Sequence, residues 1–396
     1  MKRLSSIRRS LGKLRDHLQL PAEAKAARRL DRRGLPEREI ESEHAVREAL
    51  RWLGRAQDNS TSRDGGVARH YSLIDGWGSS YPETTGYIIP TMFECSRWFD
   101  DPDTAGRARR MLDWLVSIQL PDGGFQGGVI GSVPVVPVSF NTGQILIGLA
   151  SGVRELGDEY RPAMRSAADW LVRSQDPDGC WRNHASPFAG PGDKAYDTHV
   201  AWGLFEAARV DGNSRYADAA VANVRWALQH QHENGWFDNC CLDTPSRPLT
   251  HTLGYVLRGV VEAYRFTEAP DLLQACLKTA DGLLAAIRLE DGFLPGRVFP
   301  DWRGAVDWAC LTGTVQIAGC WLLLYGTTGD GRYRDAALVA NRYVRRTMSV
   351  DGRPEIRGAV KGAFPVSGNY GRYEYLNWAA KFFIDSHLLE LSPNMP

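Results

Sequence analysis

Nothing in this 396-residue sequence approaches the run of about 20 apolar residues that a membrane-crossing helix needs. No apolar core follows the early positive charges as it would in a signal peptide, so export is not expected. Net charge is also missing: 47 Lys and Arg balance 47 Asp and Glu, which argues against nucleic acid as a partner, since that role calls for a basic face. Cysteines number seven, an odd count without regular spacing, so a disulfide framework is not indicated and a reducing, cytoplasmic setting is expected. The stretch Gly326-Thr327-Thr328-Gly329-Asp330-Gly331 follows no strand and reads as a turn between helices rather than a phosphate loop.

What the sequence does contain is uneven along its length. Residues 1–33 carry eleven Lys or Arg against three Asp or Glu, and Leu4, Ile7, Leu11, Leu14 and Leu18 alternate at spacings of three and four. That pattern is one apolar stripe on a basic helix. Residues 1–40 are therefore expected to form a basic amphipathic extension. Its first 20 residues suit peripheral contact with the inner face of a membrane or with a protein, and equally suit packing across the outside of the fold.

From residue 41 to 396 a short phrase recurs. Asp64-Gly65-Gly66, Asp122-Gly123-Gly124-Phe125, Asp178-Gly179-Cys180-Trp181, Asn234-Gly235-Trp236-Phe237, Asp291-Gly292-Phe293 and Asp351-Gly352 stand 58, 56, 56, 57 and 60 residues apart. So steady a period means one supersecondary unit used six times. Upstream of each phrase lies an amphipathic helical pattern, as in residues 105–119 and 217–231, and Gln119, Gln175 and Gln231 close three of these at the same offset. Downstream lies a helix that is apolar on most sides and rich in Gly and Ala, as in 143–150, 199–208, 254–263 and 314–324. Twelve helices alternating in this way predict two concentric layers, an all-α (α/α)6 toroid of six helical hairpins. Trp52, Trp98, Trp114, Trp170, Trp226 and Trp321 fall within helices and read as core. The Asp-Gly turns are expected to stop the outer helices, because glycine accepts the left-handed backbone that ends a helix.

The stretch Trp114-Leu115-Val116-Ser117-Ile118-Gln119-Leu120-Pro121-Asp122-Gly123-Gly124-Phe125, echoed over 170–181, resembles the Gln-Trp repeats of terpenoid cyclases and protein prenyltransferase β subunits. The repeat count and the polar residues facing the pocket look equally like the six-hairpin glycosidase-like group. That likeness implies hydrolases, lyases and epimerases of sugars and uronates. Both resemblances imply the same toroid; the reaction has to be sought in the site.

In such a ring the inner-helix N-termini share one open mouth and carry unsatisfied N–H groups. Six segments enter them. The first contains Tyr81, Glu83 and Tyr87; the second Asn141 and Gln144; the third Asp197 and His199; the fourth His251 and Tyr255; the fifth Asp307 and Trp308; the sixth Asn369, Tyr370, Arg372, Tyr373, Glu374 and Asn377. A long aromatic loop with His70, Tyr71, Asp75 and Trp77 lies just before the first. Aromatic faces beside amides and carboxylates are what a sugar pocket needs, because pyranose faces stack while hydroxyls hydrogen-bond. Ordinary helix capping accounts for Asn141, Asp197 and Thr250 about as well.

Glu83, Asp197, Asp307 and Glu374 are the expected acid-base set, with His251 and Tyr373 beside them. Glycoside hydrolysis requires one carboxylic acid and one carboxylate. A uronate lyase or epimerase needs instead a base, a proton donor and a cation for the carboxylate, roles open to Tyr81, Tyr373, His70, His251 and Arg372. The leading expectation is a carbohydrate-active enzyme acting on an oligosaccharide or lipid-linked glycan in polysaccharide metabolism or assembly. The alternatives are a terpenoid cyclase or prenyltransferase-like enzyme and a non-catalytic glycan-binding toroid. Against the cyclase, the Asp-x-Asp-Asp acid of that family is missing, and Asp100-Asp101-Pro102-Asp103 differs in order. No cofactor or metal is expected. Thr250 to Tyr255 looks like the segment holding the zinc histidine of prenyltransferase β subunits, with Asp307 and Cys310 one repeat later, but that family places Asp and Cys before the His. Cys240-Cys241 near His251 is a second candidate cluster, although adjacent thiols grip one tetrahedral ion poorly.

Overall fold

The protein is described by a computed structural model covering residues 20–187, 189, 190 and 192–392; the apolar stripe from Leu4 to Leu18 lies outside the described residues. Thirteen α-helices occur among the described residues. After α1 (Ala22–Asp31), six outer helices alternate with six inner ones. The outer helices are α2 (Ser42–Asp58), α4 (Pro102–Ile118), α6 (Arg161–Ser174), α8 (Ser214–Leu228), α10 (Pro270–Ala286) and α12 (Gly331–Thr347). The inner helices are α3 (Pro82–Phe99), α5 (Ser139–Leu156), α7 (Thr198–Asp211), α9 (Thr250–Thr267), α11 (Leu311–Thr328) and α13 (Asn377–Leu391). The chain is an (α/α)6 toroid. Each inner helix packs on the next, and α13 returns to pack on α2 and α3, which closes the ring.

Burial follows the two layers. In α5 every residue from Asn141 to Val153 is buried, whereas α4 buries one face through Ala108, Met111, Leu112, Trp114 and Leu115. Inner helices approach closely because glycines stand at their crossings. A Cβ added to Gly86 would meet Ile145 Cα at 2.4 Å, and one on Gly148 would meet the Gly86 carbonyl oxygen at 2.2 Å. Polar mouths on otherwise apolar helices are thus held in a narrow ring.

The repeated turns join neighbouring units. All six glycines of the phrase, Gly65, Gly123, Gly179, Gly235, Gly292 and Gly352, have positive φ. Asp64, Asp122, Asp178, Asn234 and Asp291 each accept the N–H two residues on, as an Asx turn does. The turns do not cap the outer helices, as had been expected: α4 ends at Ile118 with an extended Gln119, and the turn forms only afterwards. The glycines of the first five turns instead lie against the next outer helix, where a Cβ on Gly179 would meet the Ala222 carbonyl oxygen at 2.5 Å. The recurrent glutamines tie the same seam. Gln119 Nε2 donates to the carbonyls of Gly123 (2.9 Å) and Ala163 (3.0 Å), Gln175 to Gly179 and Ala219, and Gln231 to Ala275. Gln57, which the spacing had not singled out, does so for the first unit through Gly65 and Arg107.

Short strands decorate the mouth. β1 (His70–Ser72) pairs antiparallel with β2 (Gly76–Trp77) and with β5 (Glu374–Leu376), joining the loops that enter α3 and α13. β3 (Ala309–Cys310) pairs with β4 (Ala363–Phe364). The described part of the N-terminal extension braces this closure: buried Asp31 accepts from Lys361 Nζ (2.6 Å) and Val366 N (2.7 Å), and Glu39 accepts from Arg345 (3.2 Å).

Candidate active site

The inner-helix mouths surround a cavity of about 560 Å³. Five of the six entering segments supply its walls: Tyr81, Glu83 and Tyr87 from α3, Asn141 from α5, Asp197 from the turn before α7, His251 and Tyr255 from α9, and Tyr370 with Trp378 at α13. The segment entering α11 does not reach it. Asp307 is exposed, and Trp308 is buried with Leu249, Cys310 and Ala363 in a separate small cluster. In that segment β3 pairs with β4, and Tyr370, six residues after β4, lines the cavity.

Glu83 lies in the first turn of α3, only 8% exposed, and accepts a 2.6 Å hydrogen bond from the Tyr81 hydroxyl. Burial pushes its carboxyl up to about 7, partly opposed by that hydrogen bond and by Arg69. Asp197 is 5% exposed, and burial raises it to about 8 against the pull of Lys194. Both groups therefore keep their protons to a higher pH than an ordinary carboxyl does. Asp197 stands at the N-cap of α7, yet its side chain caps nothing; Asn141 lies inside the first turn of α5 with its Nδ2 unpartnered; Thr250 Oγ1 faces the Gly296 carbonyl oxygen at 3.4 Å. Capping does not account for Asn141 or Asp197.

His251 is buried, which lowers its proton affinity to about 4 and leaves a neutral imidazole, with Nδ1 2.6 Å from Gln316 Oε1. Its ring meets Tyr255 at 4.4 Å and Tyr370 at 5.3 Å between centroids. Burial likewise raises the Tyr81, Tyr87, Tyr196, Tyr255 and Tyr370 hydroxyls well above their usual range, so all remain donors. Trp378 Nε1 donates to the Tyr370 hydroxyl at 2.8 Å.

Other residues expected at the mouth lie around the cavity rather than in its wall. Glu374 pairs with Arg69 (3.1 Å), and it is Arg69, stacked 5.1 Å from the Trp378 ring, that lines the cavity. His70 Nδ1 lies 2.7 Å from the same guanidinium, with burial lowering its proton affinity. Tyr71 accepts from Arg353 (2.7 Å) and packs on Trp77, away from the cavity wall, and Asp75 is exposed. Tyr373 is buried at φ 64° without a hydrogen-bond partner for its hydroxyl, while Asn369 and Arg372 are exposed. Asn377 is buried and ties Ala68 O (3.0 Å) to Thr84 Oγ1 (2.8 Å). Gln144 and His199 form a sealed pair, Oε1 to Nδ1 at 2.5 Å, behind Tyr255.

Several wall residues were not anticipated: Arg69, Trp181, Arg182, His184 and Lys194, from loops without helical periodicity. Arg182 is shared among Asp176, Asp178 and Asp193. Lys194, three residues ahead of Asp197, is 9% exposed, and its ammonium makes no ion pair among the described residues. No group of three or more His, Cys, Asp or Glu gathers as metal ligands would among the described residues; Cys240, Cys241 and Cys310 are buried thiols. No helix among the described residues is long and apolar enough to cross a membrane.

Comparison with known proteins sets two kinds of relative beside this architecture. The family model for the squalene-hopene cyclase C-terminal domain matches residues 68–261. An ent-copalyl diphosphate synthase from Streptomyces sp. (strain KO-3988) is 35% identical over 101 residues, 25% of this chain and 18% of that protein, so the likeness spans under a fifth of the relative. Among solved structures, an unsaturated glucuronyl hydrolase from Bacillus sp. GL1, responsible for glycosaminoglycan degradation, superimposes with a TM-score of 0.69 at 15% identity, over 88% of this chain and 96% of that one. Cellobiose 2-epimerase from Bacillus thermoamylovorans B4167 superimposes at 0.65 and 10% identity, over 88% and 97%. At such identities the structural likeness establishes the (α/α)6 toroid alone.

Proposed function

We propose that the chain is a carbohydrate-active enzyme of the glycosidase, uronate lyase or epimerase type, acting on an acidic oligosaccharide or lipid-linked glycan in polysaccharide metabolism or assembly. The observation that carries this reading is that two buried carboxyls, Glu83 and Asp197, line one aromatic, polar cavity, each held protonated by burial to a higher pH than an ordinary carboxyl. Tyr81, Tyr196, Tyr255, Trp181 and Trp378 give stacking faces and donors for sugar rings and hydroxyls. Lys194, which lines the cavity and makes no salt bridge among the described residues, suits a uronate carboxylate on the substrate. Glu83 and Asp197 act as the proton-carrying pair, His251 completes the polar wall, and Glu374 works by orienting Arg69. The enzyme works in the cytoplasm, and its basic extension contacts a membrane face or a protein partner.

The test is turnover of a panel of uronate-containing and neutral oligosaccharides by the wild type, Glu83→Gln and Asp197→Asn. Loss of at least a hundredfold in either variant, the lower end of acid-base contributions, is the expected result. Unchanged turnover in both would remove the assignment, and binding without turnover by the wild type would leave a glycan-binding toroid. The cyclase-type match favours a second reading, because residues 68–261 include Glu83, Asp197 and His251. In that case the same protonated carboxyls would serve an isoprenoid, and titration with an isoprenyl diphosphate would give saturable quenching of Trp181 and Trp378.

A further inference from the structure

His251 enters the cavity from the first turn of α9 and is backed by α11. The two helices meet through paired glycines. A Cβ on Gly313 would stand 2.6 Å from His251 N, and one on Gly254 would stand 2.9 Å from Gln316 Cβ and 3.3 Å from its Oε1. Those two small positions place the buried Gln316 amide directly behind the imidazole, with Oε1 2.6 Å from Nδ1. A carbonyl oxygen only accepts, so the nitrogen facing it carries the ring's proton and the other nitrogen is left bare. No described residue donates to that other nitrogen, Nε2. It is also absent from the sealed, unpartnered polar atoms, unlike Nε2 of His199, whose Nδ1 is held the same way by Gln144. Of the two His–Gln pairs, the one at His251 therefore opens on the cavity.

The geometry points to Gln316 as a positioning residue that holds His251 in the Nδ1–H tautomer and so presents a bare Nε2 to the cavity as the acceptor for a substrate hydroxyl. The groups facing the ring are Tyr255 on its own helix and Tyr370 from the loop entering α13, with His199 on α7 beyond Tyr255 and the Cys310 thiol from β3 at the His251 backbone N–H, all neutral. With burial they keep the imidazole uncharged, so Nε2 stays available across neutral pH. Tyrosine hydroxyls and protonated carboxyls in the wall can each donate or accept, whereas a bare imidazole nitrogen only accepts, so Nε2 fixes the direction in which a ligand hydroxyl beside it must point. This step rests on the glycan reading for its ligand, but the tautomer itself is readable without any ligand.

The experiment is long-range proton–nitrogen NMR of the full chain labelled with 15N-histidine, the His251 signals being assigned by their disappearance in His251→Asn. The expected spectrum near pH 7 has a protonated Nδ1 and a pyridine-like Nε2. Gln316→Met, which removes the acceptor, should give a mixture of tautomers. Gln316→Glu, which keeps an acceptor and adds a charge, should retain the tautomer and shift protonation of the ring to higher pH than in the wild type. A wild-type ring protonated on Nε2, or a Gln316→Met ring with an unaltered tautomer, would overturn the assignment. If the tautomer behaves as expected while no glycan is bound or turned over, the functional reading fails and the positioning role of Gln316 stands.

Discussion

Replacing Glu83 by Gln should make the protein more stable at pH 8 while removing the proton that the proposed chemistry would use. The reasoning starts from burial: the carboxyl sits at 8% exposure, and its pKa rises from 4.5 to about 7. At about 1.4 kcal/mol per pH unit, ionising it inside the fold costs about 3 kcal/mol more than ionising it in the unfolded chain. The direction follows from proton counting. Between pH 4.5 and 7 the folded state binds more protons than the unfolded one, so the contribution is fully present below pH 4.5 and is lost as pH rises through about 7. Glutamine cannot ionise, and it can still accept from the Tyr81 hydroxyl, so the variant should lack this loss. For a chain of this length about 3 kcal/mol corresponds to roughly 4 °C in melting temperature. Melting curves of both proteins at pH 4.5, 6 and 8 would show them converging in acid and separating in base, with the variant higher. A variant that melts at or below the wild type at pH 8, or two parallel pH profiles, would refute the claim that this carboxyl is held protonated by burial.

Asp197→Asn should behave alike over a wider window, from 3.8 to about 8, with the larger gain near pH 8.5 by the same melting assay. Gly148→Ala should be severely destabilising, by about 3 kcal/mol or more in denaturant titration, because the new methyl meets the Gly86 carbonyl, which is backbone and cannot turn away. Lys361→Met should cost about 3–5 kcal/mol by leaving Asp31 as an uncompensated buried charge, and pairing it with Asp31→Leu should recover part of that loss in the same titration. Gln175→Leu should cost about 1–2 kcal/mol, one net hydrogen bond for each of the two carbonyls it serves, with unchanged circular dichroism.

The ring was legible because its seam is made of residues whose backbone demands are local. An Asp-Gly turn needs a side-chain acceptor and a positive φ, and both are written in the pair itself, so six copies at a steady period expose the architecture. The role of those turns was less legible: that they lie against the next outer helix, not at the end of their own, depends on contacts 43 or more residues away, such as Gly179 with Ala222. The cavity was read through the rule that inner-helix starts converge. Glu83, Asn141, Asp197, His251 and Tyr370 do line the cavity, whereas Asp307 and Trp308 do not, in the segment where β3 pairs with β4. A two-residue strand pairing with a partner more than fifty positions away leaves no periodic signal. Arg69 and Lys194 were missed because they sit in aperiodic loops; the position of Lys194 three residues before a mouth carboxylate was the one clue available.

The most direct trial of the account is a crystal structure of the Glu83→Gln, Asp197→Asn double variant soaked with a uronate-containing oligosaccharide and, separately, with an isoprenyl diphosphate. The account expects a sugar ring stacked in the cavity with a hydroxyl directed at His251 Nε2, its carboxylate near Lys194, and a hydroxyl or glycosidic oxygen within hydrogen-bonding reach of positions 83 and 197. An empty cavity in the first crystal and a well-ordered isoprenyl chain along Trp181 and Trp378 in the second would contradict it.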